Sequence, residues 1–244
     1  KKLFFKTIKK PNVFLLIFCT SLALGFGATT QQYALLNTDV SNAAFITALY
    51  VPLVPIILTL VLRKRLHNSI WLAILVCLIG LYLLTSESSS LAMRYSDTLL
   101  VFSSIAFACQ IILTDIYLKK NNLHFTFAFS QYFLIFIFTF IISLIFESPT
   151  LSNISLEFFE IFYAGVLSVG IAYTLQIIGQ KNTKPAPAAI ILSMEAVFAA
   201  IAGWIIIDQS MSFIKIIGCI LIFSGIIIAQ VFPLLTKNKE SIND

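Results

Sequence analysis

Eight apolar runs, separated by short polar or charged stretches, account for nearly the whole chain. They run roughly Val13–Leu36, Ser41–Leu62, Ser69–Thr85, Thr98–Leu118, Phe125–Phe146, Phe158–Ile178, Ala186–Ile207 and Phe213–Leu235, each of about 17 to 24 residues. At about 1.5 Å per residue, a helix of that length crosses the ~30 Å hydrocarbon core of a bilayer. The strict alternation of a membrane β-barrel is absent. Short connections make successive helices antiparallel, and no segment reads as a separate soluble domain. The first run is too long for a cleavable signal peptide and lacks a clear small-residue cleavage site. The pattern predicts an all-α polytopic membrane protein.

Composition agrees. The chain is 59% hydrophobic and 11% charged, with 23 Phe, more apolar surface than a soluble domain of this length can bury. The formal net charge of +5 does not point to nucleic acid, because the basic residues are scattered over short loops. Their distribution sets orientation instead. Alternate loops carry Lys1, Lys2, Lys6, Lys9 and Lys10, then Arg63–Arg65, then Lys119 and Lys120, then Lys181 and Lys184, then Lys237 and Lys239. The opposite side holds only Arg94 and Lys215, fourteen against two. The positive-inside rule then puts both termini in the cytoplasm, with Asn37–Val40, Ser86–Asp97, Glu147–Glu157 and Asp208–Ser212 facing out.

The chain repeats internally. An offset of 145 residues lays Phe14–Leu84 on Phe159–Ala229 without a gap. Gly25 then meets Gly170, Gln31 meets Gln176, Asn37-Thr38 meets Asn182-Thr183, Ala43-Ala44 meets Ala188-Ala189, and Gly80 meets Gly225. Helix boundaries coincide, while Asn37-Thr38 falls outside and Asn182-Thr183 inside. The copies therefore have opposite orientation, an arrangement typical of secondary transporters whose site lies at the midplane between the halves.

Two matching segments carry a further likeness. Tyr33-Ala34-Leu35 through Leu62-Arg63-Lys64, and Asn182–Asp208, each show a helix end, a short polar turn, a small-residue helix and a polar exit. With the repeat and the topology, the chain resembles the drug/metabolite transporter superfamily, in particular its EamA-like permeases. The first copy has Tyr50 and Pro52 near the helix centre, whereas the second has Glu195 followed by Ala196 and lacks the usual Pro. The resemblance implies ten helices in two inverted five-helix halves. It also implies carriage of small metabolites across the inner membrane, and a cavity lined by the third, fourth, sixth, eighth and ninth helices.

Eight helices are visible of that expected ten. Residues 97–235 supply the five helices of a second repeat, 1–85 supply three of a first, and 236–244 form a cytoplasmic tail. The repeat offset places the start of the first copy about 48 residues before Lys1, and the chain opens without Met. The expectation is that two helices precede Lys1; a processed or genuinely eight-helix protein is the alternative, which the upstream sequence would decide.

Glu195 is the foremost candidate for chemistry. It lies about ten residues from either end of its 22-residue apolar run, a depth at which an acidic residue costs roughly 2.5 to 3.5 kcal/mol. Such a residue can accept a proton or serve as counter-ion to a cationic or zwitterionic substrate; the competing reading is a structural carboxyl bonded to a neighbouring helix. Tyr50 holds the equivalent position. Gln31, Gln176, Tyr173 and Gln110 lie on the spans that match the cavity helices, and with Tyr50 they would form a polar, aromatic-walled cavity, ordinary interhelical hydrogen bonding being the competing reading for each. Ala188, Ala199 and Ala202 share the helical face of Glu195 and fit close packing. Asp115, four residues before Lys119, reads as a local ion pair.

Pro52 and Pro55 mark a kink in the second span, and Gly25 and Gly170 a close approach or bend in theirs. Ala73 with Gly80, and Gly218 with Gly225, sit seven apart on one face and point to tight helix contact. Cys19, Cys77, Cys109 and Cys219 lie in separate spans without metal or redox spacing and read as buried apolar residues. His67 and His124 sit in loops, and no P-loop is present. No cofactor or metal is expected. The expected partners are a small-molecule substrate and the lipid bilayer, with a homodimer left open and no nucleic acid. A secondary transporter accounts for the inverted duplication and the midplane acid together; a passive channel or membrane scaffold accounts only for the hydrophobicity, and no clustered His or acid pair supports a membrane enzyme. Single cysteines at Ser89 and Asn122 check the topology: only the first should react with an impermeant thiol reagent applied outside.

Overall fold

A computed structural model describes residues 11–38, 40–85, 95–121, 123–147, 150–206, 208 and 210–240. The loops at 1–10 and 86–94, and with them Arg94, Ser89 and Asn122, lie outside the described residues. Among the described residues there is no strand, and eight spans are long and apolar enough to cross a membrane. Their ends fall within three residues of those read from hydropathy.

In chain order the first spans are α1 (Pro11–Leu35), α2 (Val40–Thr47) with α3 (Tyr50–Leu60), α4 (Asn68–Thr85), α5 (Tyr95–Lys120) and α6 (His124–Phe146). The short α7 (Leu151–Leu156) precedes a sixth span made of α8 (Phe158–Phe162), a π-helical stretch (Tyr163–Tyr173) and α9 (Thr174–Gln180). The last spans are α10 (Pro185–Leu192) with α11 (Met194–Ile206), and α12 (Phe213–Glu240). Pro185 opens α10, where its missing N–H costs no bond.

The chain forms two compact units, Lys1–Phe26 with Ile112–Thr183, and Gly27–Ile111 with Lys184–Asp244. In the first, Tyr117 stacks on Phe127 at 4.2 Å within a core that includes Val13, Ile17 and Ile177. Gln131 Nε2 donates to the Thr20 carbonyl at 3.4 Å, and the Tyr132 and Thr174 hydroxyls meet at 3.0 Å. Lys119 pairs with Asp115 at 2.7 Å, the expected ion pair. Gly25 faces Ile135 and Phe138 at ordinary van der Waals distance, so no close approach requires it. Gly170, its counterpart, lies in the π-helical stretch.

The second unit is organised by the crossing of α4 and α12. A Cβ on Gly80 would lie 2.7 Å from the Gly218 carbonyl oxygen, and one on Gly218 would lie 2.7 Å from that of Gly80. A Cβ on Gly225 would lie 2.9 Å from the Ala73 carbonyl oxygen and 2.5 Å from Cys77 Sγ. The two backbones touch because these positions carry no side chain, the contact the seven-residue spacing predicts. Residue 80 lies against 218 and 73 against 225, so the helices run antiparallel. They are equivalent in the repeat, and an antiparallel pair of equivalent helices is what inverted copies require.

The exits of the two broken spans also match. Arg63 and Asp208, 145 residues apart, are the non-glycine residues of positive φ among those described, at 51° and 53°. A left-handed residue past a helix end turns the chain back, and here the Lys64 N–H reaches the Leu58 carbonyl at 2.9 Å. Of the cysteines, Cys77 is buried as expected, but Cys19, Cys109 and Cys219 are half-exposed. Their helices turn those faces away from the packed interior, and a thiol is apolar enough to face lipid.

Gly80→Ala should destabilise the protein by about 1 to 3 kcal/mol, since backbone carbonyls cannot yield to a methyl group. Gly179→Ala, into open space, should be neutral or mildly stabilising. Thermal melting in detergent compares the two.

Candidate functional site

Two of the spans are interrupted at equivalent places. The second breaks at Ala48-Leu49 between α2 and α3, and the seventh at Ser193 between α10 and α11. In the first break, residue 52 is proline and cannot donate to the Ala48 carbonyl, which takes the Val51 N–H instead at 2.9 Å. The second break has no proline. There the Ser193 hydroxyl donates to the Ile190 carbonyl at 2.6 Å, and the Ser193 carbonyl takes the Ala196 N–H at 3.2 Å. A side-chain hydroxyl that bonds back to the preceding turn competes with the regular ladder. Pro52 and Ser193 thus produce the same tightened turn by different means, which is how the second copy manages without the usual proline.

Each break begins a half-helix with a polar side chain in its first turn: Tyr50 on α3 and Glu195 on α11. These two meet. The Tyr50 hydroxyl donates to Glu195 Oε1 at 3.3 Å. Tyr50 is buried at 4% exposure, whereas Glu195 is exposed. The N-terminus of a half-helix stabilises negative charge placed in its first turn.

Ala188 is buried, but Ala199 and Ala202, on the face of Glu195, are exposed. The expectation that this face is closely packed is therefore corrected: α11 turns Val197 and Gly203 inward instead. Small side chains stand beside the carboxylate on this face, which retains accessible surface.

Gln31 is half-buried and donates from Nε2 to Thr47 Oγ1 at 3.3 Å, one turn before Tyr50. Gln110 is buried within α5 and engaged with a partner. Tyr173 and Gln176, half-buried and likewise engaged, belong to the other unit. The structure thus joins Tyr50 directly to Glu195 and ties Gln31 to the end of α2, the half-helix before the break that precedes Tyr50. Thr47 and Ser193 were missed by the reading of the sequence. Their signal was there: each is a lone hydroxyl inside an apolar run, three or two residues before a candidate.

Around this site the equivalent halves differ. The half-helices α3 and α10 pack against each other, while no comparable packing joins their counterparts α2 and α11 among the described residues. Burial follows. Val51, Val54, Ala189 and Ile190 are fully buried, whereas the matching Ala196, Ala44 and Phe45 are half-exposed and Ala199 is exposed.

Comparison with known proteins gives this arrangement a context. The pattern described as the EamA-like transporter family matches residues 2–86 and 94–230. The chain is 30% identical over 220 residues to an uncharacterized transporter of Archaeoglobus fulgidus, covering 87% of this chain and 68% of that protein. It is 27% identical over 190 residues to the uncharacterized transporter YwfM of Bacillus subtilis, covering 74% of this chain and 61% of that protein. A protein of known crystal structure superposes with a TM-score of 0.72 at 15% identity, over 93% of this chain and 78% of the other, a likeness of fold.

A double-mutant cycle tests the central contact. Tyr50→Phe and Glu195→Met, which lacks the acceptor oxygen, should both insert normally, and their effects on melting should be coupled by about 1 kcal/mol. Strict additivity would mean that the hydroxyl and the carboxylate do not interact.

Proposed function

The chain belongs to the EamA-like transporter family, and from that premise we propose that it works as a secondary transporter with Glu195 at the centre of its site. The substrate is a small metabolite or drug-like compound, cationic or zwitterionic, moved across the inner (cell) membrane by alternating access coupled to protons. The observation that carries this reading is the pairing of Glu195 with its repeat counterpart Tyr50 at the breaks of two mid-membrane helices. Broken helices at corresponding places in inverted halves are the usual seat of substrate and coupling ions.

The surroundings favour a proton and a cation as alternative occupants. On α11 there is no other ionisable side chain; α3 brings Tyr50, α4 brings Cys77 and Tyr82, and α12 brings Cys219 and, near its start, Lys215. No Lys or Arg lies in these helices at the depth of Glu195 to hold its charge. Apolar surroundings favour the neutral acid, whereas an approaching cation or an open aqueous path favours the carboxylate. A substrate cation and a proton therefore compete for one group, and release of one accompanies uptake of the other. Gln31 and Thr47 stand one turn away as hydrogen-bonding partners for the substrate, and Gln110, Gln176 and Tyr173 are further candidates for the cavity wall.

The burial asymmetry supports alternating access. With the Lys- and Arg-rich loops in the cytoplasm, α3 and α10 are the cytoplasmic halves of their spans, α2 and α11 the outer ones. On this reading, packing of α3 on α10 without comparable packing of α2 on α11 among the described residues belongs to an outward-open conformation, in which Glu195 is reached from outside.

Glu195→Gln, which keeps the shape but cannot ionise, should insert normally and lose flux driven by a pH gradient, while exchange of substrate survives. The measurement is uptake by the full-length protein in proteoliposomes, screened with labelled amines and amino acids. Transport by the variant at the wild-type rate and with unchanged pH dependence would reduce Glu195 to a structural hydrogen-bonding group. Flux that neither saturates nor responds to the gradient would favour a channel.

A further inference from the structure

Some contacts in the second unit join residues that are counterparts of each other in the repeat. Tyr50 and Glu195 are 145 apart, the repeat offset, and bonded at 3.3 Å. Cys77 Sγ lies 3.6 Å from the carbonyl of Ile222, also 145 away. Two counterparts related by a twofold axis touch only when the axis passes between them. The internal axis therefore runs between α4 and α12 and through the Tyr50–Glu195 pair.

Two further approaches at that crossing have mates. Applying the offset turns the Gly80–Gly218 approach into that of Gly225 with Ala73, and both are present. It turns the approach of Gly80 to the Ile222 backbone nitrogen into that of Gly225 to the Cys77 nitrogen; a Cβ on the glycine would lie 2.9 Å from the first nitrogen and 3.4 Å from the second. These approaches of the α4–α12 crossing are thus symmetric. The packing of α3 on α10 is different, because no comparable packing of its mate, α2 on α11, is present among the described residues.

This distinction sorts what moves from what stays. When inverted repeats exchange conformations, the distance between two counterparts in one state becomes the same distance, read in reverse, in the other. A contact that is its own mate, or whose mate is already made, survives the exchange. A contact whose mate is missing is traded for that mate. We infer that the α4–α12 crossing and the Tyr50–Glu195 pair are the stationary axis of the transport cycle, and that the cycle exchanges the α3–α10 contact for an α2–α11 contact around it. The inference rests on the alternating-access reading above and adds which helices do not move.

The physical basis is local. At the crossing, Gly80, Gly218 and Gly225 bring backbone close to backbone, with Ile222 and Cys77 packed into the same contact, so sliding would meet carbonyl oxygens at once. The α2 and α11 faces carry small side chains, Ala44, Ala196 and Ala199, at the places where their counterparts are buried. Phe45, the counterpart of the buried Ile190, is a bulky side chain that this closure must also seat. Glu195 keeps its hydroxyl partner throughout, and only its access to one side or the other changes.

Cross-linking in the full-length protein tests this without a known substrate. Cys19, Cys109 and Cys219 are replaced by Ala and Cys77 is kept. One pair, Ala44→Cys with Ala199→Cys, occupies positions equivalent to the fully buried Ala189 and Val54 and traps the opposite state with a short thiol-to-thiol linker in proteoliposomes. The second pair is Cys77 with Ile222→Cys. The expected result is that the first pair links, and that the second then oxidises to the same yield in trapped and untrapped protein. A severalfold fall in the second yield after trapping would overturn the stationary axis while leaving alternating access in place. Failure of the first pair to link would overturn alternating access and the axis with it. Should Ile222→Cys not insert, spin labels at Asn68→Cys and Val231→Cys, exposed positions that the antiparallel crossing places at the same end of α4 and α12, supply the same readout: the distance between them should be identical before and after trapping.

Discussion

The close crossing of α4 and α12 is the contact on which the rest of the second unit depends. Inside a bilayer apolar side chains gain nothing by leaving lipid for one another, so helices associate through dispersion, short backbone approach and hydrogen bonds. Gly80, Gly218 and Gly225 permit that approach, since a Cβ at any of them would meet backbone atoms of the facing helix. Because the partners are equivalent helices of a repeat and run antiparallel, the contact also imposes the inverted relation of the copies. Tyr50 and Glu195 meet as a consequence, being counterparts close to the same axis.

Interrupting a membrane helix frees backbone groups where no water is at hand, and the protein answers that cost locally at both breaks. At Ala48 the freed carbonyl takes the N–H of the third residue on, and at Ser193 the same substitution occurs with the hydroxyl in the role that proline plays in the other copy. The result is two half-helices whose first turns carry the polar pair. A mid-membrane carboxylate needs both a hydrogen-bond donor and a local positive field. The hydroxyl of Tyr50 supplies the first and the N-terminus of α11 the second.

Symmetry and its violation then divide the work. Some contacts obey the twofold relation, whereas α3 packs on α10 with no comparable packing of α2 on α11 among the described residues, the asymmetry on which the proposed cycle rests. The asymmetry is visible in burial: Val51 and Val54 are buried on the packed side, whereas their counterparts Ala196 and Ala199 keep accessible surface.

Much of this was legible in the order of residues. Hydropathy and helix length located the eight spans to within three residues, since the thickness of a bilayer leaves little freedom. The repeat offset named Tyr50 and Glu195 as counterparts, and the seven-residue spacing of Ala73 with Gly80 and of Gly218 with Gly225 announced the tight contact. The sequence could not say that those small residues mesh with one another across an axis, because spacing within one helix does not identify its partner. Nor could it tell that Ala199 and Ala202 face open space while Ala188 is packed: all three are small, and which faces close is decided by the crossing of helices distant in the chain. Ser193 passed unremarked because a lone serine in an apolar run has no fixed role until its hydroxyl is seen to take the preceding turn's carbonyl. Local chemistry determined what each span could be, and only tertiary packing decided which counterparts would touch.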